Sequence, residues 1–250
     1  MKERLIAILE TALIALFFFS LVQLIQIGLT YKAGNDVYKE TQETFVKTDS
    51  EIYEDIGIDF DIDFEPLLEK NSEVVGWIYI PDTVINYPLV WHEDNQYYTE
   101  HTYEKKALKC GAIFLDARCN SDFTSDNTII HGHNMKNKSM FGDLKKYGDL
   151  DYLNEHPYIY IITEEYCAKY EIFSATYTKV GSYVYQIDIG DSDAKTKWAK
   201  RLAVDSQPET NIRDFTGIDA YITLSTCTST TDEGRFIVTA MHIETIYKEE

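Results

Sequence analysis

The sequence predicts a mainly β domain preceded by one transmembrane helix. Short runs rich in Ile, Val, Tyr and Phe recur after Pro66 and are separated by turn residues, a pattern typical of an all-β barrel or sandwich. The chain holds 19 Tyr and 12 Phe, and aromatic residues favour strands. Its 250 residues suit one domain of ordinary size with an appendage.

The appendage is an apolar stretch from Leu5 to Leu29. As a helix it spans about 37 Å at about 1.5 Å per residue, enough to cross a bilayer with some tilt. The alternative, a cleaved signal peptide, calls for a shorter apolar stretch and a small-x-small cleavage site. Lys2 and Arg4 precede the stretch and acidic sequence follows it. Residues 1–30 are therefore predicted to be a cytoplasmic tip and an uncleaved single-pass anchor, with the rest of the chain outside the cell.

Residues 31–65 form an acidic segment with 11 acidic and 3 basic side chains. Loose helical spacing of apolar residues runs from Asn35 to Tyr53. The segment is predicted to be an amphipathic stalk helix or a partly ordered linker, and residues 66–250 the folded domain.

Nine runs are predicted to be strands: Val74–Ile80, Val84–Val90, Gly111–Leu115, Thr128–His131, Tyr158–Thr163, Lys169–Thr178, Tyr183–Ile187, Ala220–Leu224 and Arg235–Ile246. Two helices are predicted between them, Ser139–Tyr147 and Asp191–Val204. In the second, Ala194, Trp198 and Leu202 share one face, and acidic residues near its start favour the helix dipole.

The net charge of −19 argues against a nucleic-acid partner, because binding a polyanion requires clustered Lys and Arg. The simplest meaning of this charge is a solvated, self-repelling surface. The four cysteines are too few for a disulfide scaffold, and none lies in a C-x-x-C pair. Whether Cys110 and Cys119 pair is left open by the sequence.

Cys227 ends the strand-like run that starts at Tyr221, and a residue at a strand end lies at the rim of a sheet, where a substrate can reach it. A nucleophilic cysteine reacts as the thiolate, which a nearby cation stabilises. Arg235 follows eight residues later at the start of the next run, so a hairpin would bring the two to the same end. The alternatives are a buried structural thiol and an ordinary arginine at a strand edge.

His131 and His133 flank Gly132 at the end of another apolar run. This strand-end position predicts a rim location with backbone freedom. Two histidines spaced by two on a strand can also bind zinc, but no third ligand is evident nearby in the sequence. No metal or cofactor is therefore predicted.

The segment Thr223-Leu-Ser-Thr-Cys227, the downstream Arg235 and the upstream Gly132-His133-Asn134 together resemble the sortase signature. The resemblance covers roughly residue 66 to the C-terminus. It is closest to class B, given the helical stretch before the barrel, the helix near 191–204 and the Asn134 to Leu144 run. It implies a closed eight-stranded β-barrel with N-terminal helices.

The resemblance implies a membrane-anchored cysteine transpeptidase. In such an enzyme Cys227 attacks the threonine carbonyl of a sorting motif, NPQTN-like or (N/S/P)PxTG-like, near the C-terminus of a secreted protein. Arg235 holds the oxyanion, and His133 protonates the leaving amine and then deprotonates the incoming one. The acceptor amine belongs to a peptidoglycan cross-bridge or a lipid II precursor.

The same resemblance assigns Asn95, Ser225, Thr226 and His131 to substrate binding. The family often has Tyr where this chain has His131, so His131 is an alternative base. Some class B members carry an acid two residues past the cysteine, where this chain has Ser229; a Cys-His-Arg set is therefore predicted.

Two other functions compete with this one. One is an extracellular β-barrel binding module in which Cys227 is structural. The other is a purely hydrolytic cysteine peptidase, although papain-like enzymes place the cysteine before the histidine and surround it with helix.

Overall fold

The structure is a computed structural model that describes residues 2–48, 52–210, 214–217, 220–228 and 233–248. Its first element, α1, runs unbroken over Lys2–Phe45. The apolar first part of α1 makes no buried contact and has a mean hydropathy of 2.2. By length and composition, this part can cross a membrane, as the sequence predicts.

Eight strands close into a barrel, which confirms the predicted fold class. Ordered around it they are β10 (Gly234–Tyr247), β8 (Tyr166–Lys179), β7 (Tyr158–Ile162), β3 (Val74–Tyr79), β4 (Asn86–Val90), β5 (Ile113–Leu115), β6 (Asn127–His131) and β9 (Tyr221–Cys227). Neighbours are antiparallel except β4 with β5 and β6 with β9. Closure leaves no open sheet edge, and Trp77 and Phe141 are among the large side chains buried in the core.

The remaining helices lie between strands: α2 (Phe64–Lys70), α3 (Tyr97–Glu100), α4 (Leu150–Glu155) and α5 (Ser192–Val204). The Asp191 side chain accepts a hydrogen bond from the Ala194 backbone N–H and so caps the start of α5. As predicted, Trp198 and Leu202 on one face of α5 are buried, and they join a second core with Tyr221.

The described residues of the acidic segment, 31–48 and 52–65, pack against the barrel and do not extend from it as a stalk. Helix α1 ends at Phe45, where the Asp63 N–H donates to the Phe45 carbonyl. The chain then forms a two-stranded ribbon of β1 (Val46–Thr48) and β2 (Phe60–Ile62). Phe45 and Ile62 belong to the main core. The apolar residues of this acidic segment therefore contribute to the main core.

Two predicted elements have other structures. Tyr183–Ile187 is not a barrel strand but a 3₁₀ turn over Tyr183–Tyr185, because side chains occupy its backbone carbonyls. The Asn127 amide donates to the carbonyls of Val184 and Gln186, and the Trp198 indole donates to that of Tyr183.

The predicted helix Ser139–Tyr147 is a loop that becomes helical only as a 3₁₀ turn at Leu144–Gly148. Lys138 and Met140 have positive φ angles of 72° and 55°, which interrupt a right-handed helix.

The burial of Phe45 predicts that the end of α1 stabilises the barrel. Phe45→Ala should lower the free energy of unfolding of residues 31–250 by about 3–5 kcal/mol, because it leaves a cavity in the core. Lys39→Ala, on the same helix but with a side chain that is 75% exposed, should change it by less than about 0.5 kcal/mol. Urea unfolding of both variants measures this, and equal, small effects would show that α1 is not part of the folded unit.

Candidate active site

The centre of the site is a cross-strand pair between β9 and β10. Cys227 lies directly opposite Arg235 in the antiparallel register, which places their β-carbons about 5 Å apart. The hairpin predicted from the sequence is thus formed, and both residues lie at one end of the barrel. A guanidinium at this position can stabilise a thiolate or an oxyanion derived from it.

His133 comes level with Cys227 through the parallel pairing of β6 with β9. His131 pairs with Ser225, the Gly132 N–H donates to the Ser225 carbonyl, and the Thr226 hydroxyl donates to the Gly132 carbonyl. Two residues further on, Asn134 donates to the Cys227 carbonyl at 3.0 Å. The end of β6 is therefore held beside the thiol.

The ring of His133 has a defined proton arrangement. Its Nε2 lies 2.6 Å from the Thr99 carbonyl oxygen. Because a carbonyl only accepts, Nε2 carries a hydrogen, and Nδ1 is the nitrogen that can gain or lose a proton. His133 and Cys227 line the same cavity.

The four thiols differ in accessibility. All are free, so Cys110 and Cys119 are not paired, and only Cys227 among them is exposed. Burial raises the pKa of Cys110, that of Cys119 to about 11 and that of Cys167 to about 12. These three thiols stay protonated near neutral pH, and Cys227 is the cysteine whose thiol is exposed to solvent.

A charged cluster of Asp116, Arg118 and His131 lies beside the pair. The Asp116 carboxylate accepts from Arg118 Nε at 2.8 Å and Nη2 at 3.0 Å, and lies 3.1 Å from His131 Nε2. Burial alone would raise the pKa of Asp116, but the hydrogen bonds from His131 and Arg118 outweigh it and hold that pKa well below its usual range. His131 is thus tied to a carboxylate two residues before the level of the thiol.

These residues surround a cavity of about 440 Å³, called here the thiol cavity. Its lining includes all seven residues that the sequence assigned to the site: Asn95, His131, His133, Ser225, Thr226, Cys227 and Arg235. The Ser225 hydroxyl lies 2.7 Å from that of Tyr185, and the Asn95 side chain accepts from the Ala117 N–H. Thr226 is buried, and its hydroxyl donates a hydrogen bond to the Gly132 carbonyl.

His131 and His133 are not arranged to bind one metal ion together. Their Nε2 atoms are directed at different partners, a carboxylate and a backbone carbonyl. In the part of the chain that the structure describes, no group of three His, Cys, Asp or Glu side chains is suited to hold a metal.

The sequence pattern of the sortase domain matches residues 78–243. The chain belongs to the sortase family. Sortase B of Listeria monocytogenes is 36% identical over 174 residues, which cover 69% of this chain and 70% of that protein. The crystal structure of sortase B from Bacillus anthracis in complex with AAEK1 has a TM-score of 0.73 at 30% identity, covering 86% of this chain and 99% of that one. The crystal structure of Staphylococcus aureus sortase B has a TM-score of 0.67 at 26% identity, covering 72% of this chain and 86% of that one. The resemblance to class B is thereby confirmed.

Sequence reasoning missed Asp116, Arg118, Tyr185 and Thr99 in this sortase. The first two follow a predicted strand directly, and a charged D-x-R pair at a strand end was a usable signal. Tyr185 was hidden in a run interpreted as a strand, and Thr99 acts through its backbone, which no side-chain pattern reveals. Ser229 lies outside the described residues.

Thiol exposure predicts selective alkylation. Limiting iodoacetamide near neutral pH should modify the folded protein once, at Cys227, because the other three thiols are buried and protonated. Mass spectrometry of peptides gives the site, and urea should release all four thiols. Cys227→Ser should abolish the rapid event; comparable labelling of a second cysteine in the folded protein would contradict this.

The Asp116 cluster predicts a pH-dependent contribution to stability. Asp116→Asn should cost about 2 kcal/mol at neutral pH, because it removes charge-assisted hydrogen bonds. The folded-state pKa is lowered, so the wild-type advantage is present above the unfolded pKa of about 4 and shrinks as the pH falls below it. Urea unfolding at neutral and acidic pH tests this, with exposed Glu164→Gln as the control. A gap between wild type and Asp116→Asn that does not change with pH would contradict this assignment.

Proposed function

We propose that this sortase is anchored in the cell membrane by α1 and transfers secreted proteins from a C-terminal sorting motif to a cell-wall amine. The observation that carries the proposal is the meeting of Cys227, Arg235 and His133 at one cavity. The three side chains come from two strands and the end of a third, and they supply a nucleophile, a fixed cation and a titratable ring.

The first half of the reaction forms a thioester. The Cys227 thiolate attacks the carbonyl carbon of the motif threonine, and Arg235 stabilises the negative charge on its oxygen. The peptide C–N bond breaks as protonated His133 gives the proton on Nδ1 to the leaving amine. The protein substrate remains attached to sulfur, and the remainder of its C-terminus departs as a free amine.

The second half reverses these roles. Neutral His133 takes a proton from the incoming amine through Nδ1, and the amine nitrogen attacks the thioester carbonyl. The C–S bond breaks and Cys227 leaves as the thiolate, again facing Arg235. The products are a new amide and an enzyme ready for the next cycle, so no cofactor is needed.

The thiol cavity supports recognition of a short motif. Asn95, Ser225 and His131 present polar groups to it, and Thr226 fixes the wall behind them. We expect these residues to read an NPQTN-like or (N/S/P)PxTG-like motif. For the acceptor, an amine peptide is supported by the crystal structure of a sortase B complexed with triglycine, and a peptidoglycan cross-bridge or a lipid II precursor presents such an amine.

The single-pass arrangement rests on α1. Its apolar part is exposed throughout, Lys2 and Arg4 precede it, and the packed domain follows. The positive-inside rule then places the N-terminus in the cytoplasm and the barrel outside the cell.

The decisive test is cleavage of sorting peptides by residues 31–250, which retain the packed end of α1. Fluorogenic peptides from a motif library should be cleaved, and an added amine should divert the product from acid to amide, measured by mass spectrometry. Cys227→Ala should abolish turnover. Removing the acid–base group in His133→Ala should lower kcat about 10²–10⁴-fold, and removing the oxyanion donor in Arg235→Ala about 10²–10³-fold.

Three outcomes separate the alternatives. Full activity of Cys227→Ala would end the proposal, and acid as the product at saturating amine would identify a hydrolytic peptidase. The matched histidine variant is His131→Ala, which should retain turnover at the acid–base step and lose affinity for the motif instead. Loss of kcat in His131→Ala with full activity in His133→Ala would move the base by two residues.

A further inference from the structure

A second cavity of about 500 Å³ adjoins the site, called here the lysine cavity. It shares only Cys227 and His133 with the thiol cavity. The thiol and its base therefore lie where two separate spaces meet. Such an arrangement suits a transfer enzyme, because the acceptor can reach the thioester while the first substrate still fills its own pocket.

The charge of the lysine cavity is opposite to that of the protein. Its lining holds Lys136, Lys138, Lys145 and Lys146 with one carboxylate, Asp143, whereas the chain carries a net charge of −19. Lys138 and Lys146 pair with Asp143 at 3.4 Å and 2.6 Å. Among the residues that the structure describes, no carboxylate lies within ion-pair distance of the other two.

The positive charge of the lysine cavity can attract anionic molecules to this entrance. Anionic molecules are repelled by the acidic surface as a whole, and a local group of lysines inverts the potential at one entrance. The entrance leads to Cys227 and His133, so the charge acts on whatever approaches the thioester from that direction.

The position of the lysine cavity is fixed relative to the anchor helix. The Asn137 amide, next to Lys136 and Lys138, donates to the Asn35 side chain of α1 at 3.0 Å. Asn35 is six residues beyond Leu29, the end of the apolar stretch, or about 9 Å along the helix axis. Under the proposed topology this contact sets the lysine cavity at a level close to the membrane surface, where lipid phosphate groups are concentrated.

We infer that the lysine cavity binds a phosphate carried by the acceptor at the membrane surface, with Lys136 and Lys145 as its principal contacts. The inference rests on the proposed function, since it names the site through which the acceptor enters. Phosphate offers several acceptor oxygens to ammonium groups and is recognised as a compact charge. The cavity would thus select acceptors by their charge, while the thiol cavity reads the sorting motif.

The test compares two synthetic acceptors on the full chain in phosphatidylcholine vesicles. Both carry a triglycyl amine; one ends in an aminoethyl phosphate and the other in a neutral amide. The wild type should use the phosphate acceptor with the higher kcat/KM. Lys136→Glu with Lys145→Glu should lower the ratio of the two kcat/KM values about tenfold. Each exposed charge pair contributes about two- to fivefold to this ratio, and charge reversal increases the effect.

The matched control reverses two lysines on α5, Lys197→Glu with Lys200→Glu, which gives the same net charge outside the lysine cavity. It should leave the ratio unchanged. An equal ratio in all three proteins would overturn the inference, and so would an equal fall in the control, which would indicate a long-range effect of net charge.

Two further arms keep the outcomes distinct. Binding of both acceptors to full-length Cys227→Ala needs no turnover, so it tests the lysine cavity even if no sorting peptide is cleaved. Preference for the phosphate acceptor that disappears in the lysine variant supports the inference; equal binding of the two acceptors overturns it. If added phosphatidylglycerol lowers the wild-type ratio, lipid headgroups occupy the same phosphate site; if it does not, the supported site is specific to the acceptor.

Discussion

The position of β9 between β6 and β10 is the constraint on which the site depends. Its antiparallel register with β10 sets Cys227 opposite Arg235, and its parallel register with β6 brings the end of that strand, and so His133, level with the thiol. Since side chains alternate along a strand, a slip of one residue would turn Cys227 toward the other face. Residues of β9 enter two different cores, with Ile222 and Leu224 in the main core and Tyr221 in the second, and this opposes any slip. Core packing and catalytic geometry are therefore set by the same register.

Polar contacts, buried or partly buried, then fix what the strands bring together. Asp116 holds His131 and Arg118, Thr226 holds Gly132, and the Thr99 carbonyl holds His133. Each contact uses a group that would be costly to bury without a partner, so alternatives that break it are disfavoured. The two histidines on either side of Gly132 therefore differ in environment: the His131 ring contacts a carboxylate, whereas Nε2 of His133 contacts a backbone carbonyl.

The sequence predicted the parts of this structure that follow from local pattern. The hairpin of Cys227 and Arg235, the buried face of α5 and most of the barrel strands follow from alternation and spacing. It failed where tertiary contacts outweigh pattern. Tyr183–Ile187 has the pattern of a strand, but the Asn127 amide donates hydrogen bonds to two of its backbone carbonyls. Residues 31–65 were predicted to be an amphipathic stalk helix or a linker; the helix continues to Phe45, but Phe45 and Ile62 are buried in the main core. The D-x-R pair of Asp116 and Arg118 was visible at a strand end, but its contact with His131 follows only from the tertiary fold.

The end of α1 is connected to the site through a backbone contact. The Tyr38 hydroxyl donates to the Gly111 carbonyl at 2.6 Å. Gly111 has a φ of +60°, and a β-carbon there would lie 2.8 Å from the Thr99 carbonyl oxygen and 3.1 Å from His133 Cδ2. Only glycine fits between these groups. Gly111 therefore lies in space between Tyr38 of the helix and His133. Because α1 runs unbroken from its apolar part to Tyr38, the helix that would hold the protein in a membrane also binds the backbone at Gly111, which packs against the Thr99 carbonyl and the His133 ring. The hydrogen bond from Tyr38 thus links the candidate anchor helix to the backbone that lies against His133.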